Sequence, residues 1–86
     1  MMLYEDRLFI AVFVGDTKEV KRLLEKGTNP NVRDKDGFTP LHIATRKGHL
    51  DMARFLIEHG ADINARDNHG GTPLHIAASD GNLDIA

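Results

Sequence analysis

The sequence predicts an all-α fold of repeated helix pairs, and three observations carry that prediction. Residues 34–53 recur 33 positions later as residues 67–86, with 12 of the 20 aligned residues identical. A period of that length marks a supersecondary unit that cannot bury its apolar face alone and stacks on its neighbours. Within the unit, apolar residues fall at helical spacing, and glycines stand where the helices would stop.

The first unit is residues 1–33. Its opening apolar run, Leu8 to Val14, places Leu8, Ile10 and Ala11 in register with Leu41, Ile43 and Ala44 of the next unit, so it reads as a buried helix with Asp6 available as its cap. Gly15 follows as a turn. A second helix then presents Lys18, Glu19, Lys21 and Arg22 on a charged face, and Gly27 ends it. Asp6-Arg7-Leu8-Phe9 stands where the next unit has Thr39-Pro40-Leu41-His42, as expected of a terminal unit with one side facing water.

The second unit is residues 34–66. Thr39 can cap its first helix, and Pro40 occupies a position where no backbone donor is needed. Leu41, Ile43 and Ala44 give that helix a core face. Gly48 separates it from a second helix over Leu50–His59, with Met52, Ala53, Leu56 and Ile57 on the buried side and Gly60 as the stop. The polar segment from Asp62 to Gly71 carries the Asp, Asn and Gly of turn chemistry. The third unit, residues 67–86, repeats the first helix as Thr72-Pro73-Leu74-His75-Ile76-Ala77 and ends soon after the second begins; by comparison with Leu50–His59, about two turns and a glycine stop are missing.

The 33-residue period and the hexapeptide Thr39-Pro40-Leu41-His42-Ile43-Ala44 resemble the ankyrin repeat. The resemblance covers almost the whole chain: a degenerate N-terminal capping repeat, a full repeat and an incomplete one. It implies a solenoid of stacked antiparallel helix pairs with projecting β-hairpin-like loops, in which His42 and His75 hydrogen-bond locally and tie a unit's loop to its helices.

Composition narrows the chemistry. Eighty-six residues make one domain, and the absence of cysteine removes disulfides and thiol catalysis. A formal charge of −2 with mixed signs gives no general attraction to nucleic acid or to anionic membranes. Leu8–Val14 is too short to span a bilayer and has the wrong flanks for a secretory signal, so the expected location is cytoplasmic. His49, His59 and His69 lie at helix ends or in the loop, without the spacing of a metal site. Ser79, with His75 and Asp80 nearby, lacks the glycine-framed elbow of a nucleophile. The expectation is no catalysis, no metal and no cofactor.

What the resemblance implies instead is a protein partner held on the concave face of the loops and first helices. Carried over residue by residue, that face comprises Phe13 in the first unit; Lys35, Asp36, Phe38, Arg46 and Lys47 in the second; and Asn68, His69, Ser79 and Asp80 in the third. Glu5, Val14 and Gly71 occupy matching positions. The chain is expected to be a segment of a longer repeat protein. The alternatives are a structural unit that self-associates through its incomplete C-terminal repeat, and the inhibitory or recognition arm of a larger enzyme.

Overall fold

Glycines in the left-handed conformation punctuate the chain. The computed structural model describes the backbone of residues 4–79 and the side chains of residues 6–76. Five helices are present in it: α1 (Tyr4–Val14), α2 (Thr17–Glu25), α3 (Pro40–Lys47), α4 (Leu50–Glu58) and α5 (Pro73–Ser79). Gly15-Asp16 joins α1 to α2 and Gly48-His49 joins α3 to α4, so each pair turns back on itself. α3 packs on α1 on one side, on α5 on the other and on its own partner α4, while α2 meets α4. The result is one layer of first helices, α1-α3-α5, backed by a layer of second helices, α2 and α4.

Helices α1 to α4 all end in the same way. After α4, the Gly60 N–H donates to the Ile57 carbonyl at 3.1 Å and the Ala61 N–H to the Leu56 carbonyl at 2.9 Å, the pair of bonds of a Schellman motif. The same two bonds follow α1 at Gly15-Asp16, α2 at Gly27-Thr28 and α3 at Gly48-His49. The motif needs a left-handed residue, and Gly60 sits at φ +97°. Helix starts are less uniform. Asp16 caps α2 by accepting from the Glu19 N–H at 3.2 Å. α1 begins at Tyr4, so Asp6 lies inside its first turn, where a negative charge still suits the helix N-terminus, and does not cap it.

The core is continuous across the units: Leu8, Ala11 and Val12 of α1, Val20, Leu23 and Leu24 of α2, Leu41 and Ala44 of α3, and Met52, Ala53 and Leu56 of α4. Two expected core residues lie outside it. Ile10 is 48% exposed, because it is about 200° around the helix from Leu8, while Val12 takes the inward position at 0%. Ile57 is 43% exposed and, with Ile63 and Leu74, lines an apolar groove of about 390 Å³ beside Leu41 and Ala53. Ile43, also expected in the core, is only half-buried at its edge.

Gly60→Ala is expected to cost about 1 kcal/mol of stability, since a Cβ would meet nothing within 4 Å and the penalty is that of the left-handed backbone alone. Urea unfolding of both chains checks this; equal midpoints would show that the stop tolerates a side chain.

Candidate protein-binding face

Each loop finger is closed by an aspartate. Asp34 Oδ1 accepts from the backbone N–H groups of Asp36 and Phe38, both at 2.9 Å, and the Asp34 N–H donates to the Phe38 carbonyl at 3.0 Å. The next finger repeats this arrangement: Asp67 Oδ1 accepts from His69 at 2.8 Å and Gly71 at 3.0 Å, and the Asp67 N–H donates to the Gly71 carbonyl at 2.8 Å. The fingers have the hairpin's reversal, but among the described residues neither contains a strand. The Gly71 N–H and then the His69 N–H hold the Asp67 carboxyl below the ordinary carboxylate value.

The fingers bond to one another across the repeat. Asn68 donates its side-chain amide to the Lys35 carbonyl and its backbone N–H to the Asp36 carbonyl, both at 3.0 Å. A Cβ on Gly37 would lie 2.5 Å from Asn68 Oδ1 and 2.8 Å from Asn68 N, so only glycine admits this approach. Arg33 donates to the carbonyls of Gly37 and Arg66. Lower down, the Asn31 side chain donates to the Gly60 carbonyl at 3.0 Å and accepts from the Asp62 N–H at 2.7 Å.

His42 completes the ladder. Its ring is 0% exposed, and Nδ1 accepts from the Thr39 N–H at 3.1 Å while Thr39 Oγ1 accepts from the His42 N–H at 3.4 Å, a reciprocal cap. With Nδ1 accepting, the proton is on Nε2, which donates to the Gly71 carbonyl at 2.9 Å. The histidine therefore ties its helix to the following unit's finger and not to its own. His75, exposed, makes the same local cap with Thr72.

The ladder leaves an open groove of about 490 Å³ lined by Phe9, Ile10, Phe13, Asp34, Asp36, Phe38, Ile43 and Arg46. Four expected binding residues, Phe13, Asp36, Phe38 and Arg46, thus come together. Phe13, 56% exposed in the last turn of α1, has Lys47 Nζ 3.9 Å from its ring centroid. Phe38 is half-buried, tilted against the His42 ring at 5.6 Å, with the Arg46 guanidinium carbon 5.5 Å from its centroid. Lys35, Asn68 and His69 are exposed on the fingers and do not line the groove, and Asn68 is engaged in stacking. Ser79 is the last residue of α5, its side chain outside the described residues, as is Asp80.

Phe9, Ile10 and Ile43 were not among the residues expected to face a partner. A signal for the first two existed: Phe9, Ile10 and Phe13 stand at i, i+1 and i+4, one face of a helix. Ile43 had none, since its recurrence as Ile76 is equally the mark of a core position. Among the described residues, no group of three or more His, Asp or Glu side chains is arranged to hold a metal ion, and no helix is long and apolar enough to cross a membrane.

A solenoid of helix pairs, linked unit to unit through buried histidine and paired fingers, defines a repeat-built scaffold. The family profile of ankyrin repeats in three copies matches residues 8–86. The chain belongs to the ankyrin repeat family. It is 45% identical over 47 residues to ankyrin repeat domain-containing protein 46 of Rattus norvegicus, covering 55% of this chain and 21% of that one. It is 39% identical over 54 residues to ankyrin repeat domain-containing protein 39 of Homo sapiens, covering 63% and 30%. A third likeness, 44% over 45 residues, is to the potassium channel GORK of Arabidopsis thaliana, covering 52% of this chain and 6% of the channel. The matched segment is thus less than a third of each of these relatives. Ankyrin repeats as a family are non-catalytic modules of protein-protein interaction.

His42→Ala is expected to lower stability by about 2–4 kcal/mol, the loss of a cap together with a buried bond to the next finger, whereas His75→Ala, which among the described residues loses the cap alone, should cost about 1 kcal/mol. Equal losses in chemical denaturation would contradict the bridging role. Acid tests the second finger. The folded Asp67 has a pKa below the ordinary 3.8, so its bonds favour the closed finger above that pH and are lost as pH falls through the lowered value. The His69 and Gly71 amide resonances should titrate together with a midpoint below 3.8; a midpoint at or above it would show that Asp67 does not hold the finger.

Proposed function

We propose that this chain, organised as repeats over residues 1–33, 34–66 and 67–86, is a non-catalytic module that binds a partner protein on the face formed by its fingers and first helices. The observation that carries this reading is the groove, where Phe13 and Phe38 stand with Arg46 and Asp36 around a floor of Phe9, Ile10 and Ile43. Phe13, Val14 and Ile10 are each about half exposed or more. Clustered exposed apolar surface rimmed by charge is characteristic of interaction sites, and aromatic residues and arginine dominate binding energy when a partner buries them. The bonded fingers hold the surface in shape before a partner arrives, which reduces the ordering cost of binding.

A second reading draws on the apolar groove at Ile57, Ile63 and Leu74, through which two copies could pair. One experiment addresses both. Affinity capture from a lysate of the source organism compares the unaltered chain with a variant carrying Phe38→Ala and Arg46→Ala, shown by circular dichroism to be folded. Loss of a captured protein on substitution is the expected outcome. A partner retained equally by both places binding elsewhere, and capture by neither, with a concentration-dependent dimer in sedimentation equilibrium, favours self-association.

A further inference from the structure

We infer that the groove takes a basic-apolar segment of a partner protein, with an apolar side chain set on the floor of Phe9, Ile10 and Ile43 and a neighbouring lysine or arginine meeting Asp36 and Asp34. This rests on the protein-binding reading above and names the chemistry of the partner.

The apolar part of the occupant follows from the lining. Phe9, Ile10, Phe13, Phe38 and Ile43 border the same open space of about 490 Å³. An aromatic or aliphatic side chain laid there removes apolar surface on both sides from water. The charge of the occupant follows from which ionic groups of the lining are already met. The lining holds two carboxylates, Asp34 and Asp36, against one guanidinium, Arg46. Arg46 is engaged within the chain, its guanidinium carbon 5.5 Å from the Phe38 ring centroid. The aspartates are not. Among the described residues neither forms an ion pair, Asp34 Oδ2 accepts no hydrogen bond beyond the two backbone N–H groups held by Oδ1, and the Asp36 carboxylate accepts none.

A segment laid over the groove takes water from these carboxylates. Asp34 is half-buried already. A carboxylate desolvated without a counter-charge is costly, so an occupant that brings no cation is penalised by the contact that anchors it. A lysine or arginine beside the inserted apolar side chain supplies the counter-charge, its methylene stem lying on the apolar floor and its head donating to the carboxylates. The lysines nearby do not reverse the sign within the groove. Lys47 stands with Nζ 3.9 Å from the Phe13 ring centroid, and neither it nor Lys35 lines the space. Lys47 instead sets the partner's cation away from Phe13 and toward the finger, where Asp34 and Asp36 are. The formal charge of the whole chain, −2, has the same sign as the lining, so long-range attraction and local fit select the same partner.

A displayed library of random peptides, selected on the whole chain, tests this. Enriched peptides are remade with a fluorophore and titrated by anisotropy against the chain, Phe13→Ala, Asp36→Asn and Asp36→Lys. Phe13 and Asp36 are exposed, and the Asp36 side chain holds nothing among the described residues, so the variants should keep the fold, which circular dichroism checks. The expected result is enrichment of Lys or Arg adjacent to Phe, Trp, Tyr, Leu or Ile. Affinity should fall about tenfold with Phe13→Ala and with Asp36→Lys, less with Asp36→Asn, and weaken with salt. Peptides that lose affinity with Phe13→Ala but keep or gain it with Asp36→Lys would overturn the basic partner and leave the groove reading standing. Peptides that bind all four proteins equally would overturn both. Enrichment of no peptide would overturn the inference, while lysate capture decides the broader reading.

Discussion

Everything in this fold hangs on the buried imidazole of His42, which uses one nitrogen within its repeat and the other between repeats. A single ankyrin unit cannot bury its apolar face, so stability is a property of the joints. Nδ1 accepts from Thr39 and closes the start of α3, and Nε2 donates to the Gly71 carbonyl of the next finger. Because one ring makes both bonds, the helix cap and the register of the following finger are set together. Arg33, Asn31 and Asn68 extend the same principle along the joint, each reaching a backbone group about one period away.

That arrangement divides the residues of α3 into two sets. Leu41, His42, Ala44 and Thr45 are buried and spent on holding the stack, while Ile43 is at the edge and Arg46 and Lys47 are exposed in the last turn. The stack buries the first set and leaves the second at or near the surface, where Arg46 and Lys47 lie against the rings of Phe38 and Phe13. The same division runs through α1, where Leu8, Ala11 and Val12 hold the core and Phe9, Ile10 and Phe13 line the groove. The fingers differ: Asn68, expected on the recognition face, proves to be partly a structural residue because the close approach at Gly37 uses it.

The helices, their stops and the cap at Thr39 were legible in the sequence, and so was the family through its repeated hexapeptide. The prediction for α4 ended one residue later than the helix does, at His59, which is its cap. The start of α1 was misplaced because Asp6, a good cap by residue type, has helical residues before it. Of the candidate binding residues, Phe13, Asp36, Phe38 and Arg46 came together, while Lys35, Asn68 and His69 stand on the fingers away from the groove lining. Residue-by-residue transfer finds positions on a face, but it does not report which of them converge.

By itself the sequence determined what depends on short range: helix periods, Schellman glycines, the Thr-Pro start and the Asp-closed fingers, each settled by bonds within a few residues. Only the tertiary structure decided which apolar residues the helices turn inward. Ile10 and Ile57 face out while Val12 faces in, because burial depends on how each helix is rotated against neighbours from another repeat. The groove is of the same origin: α1, α3 and the finger before α3 each supply part of it, and their side chains meet only once the repeats have stacked.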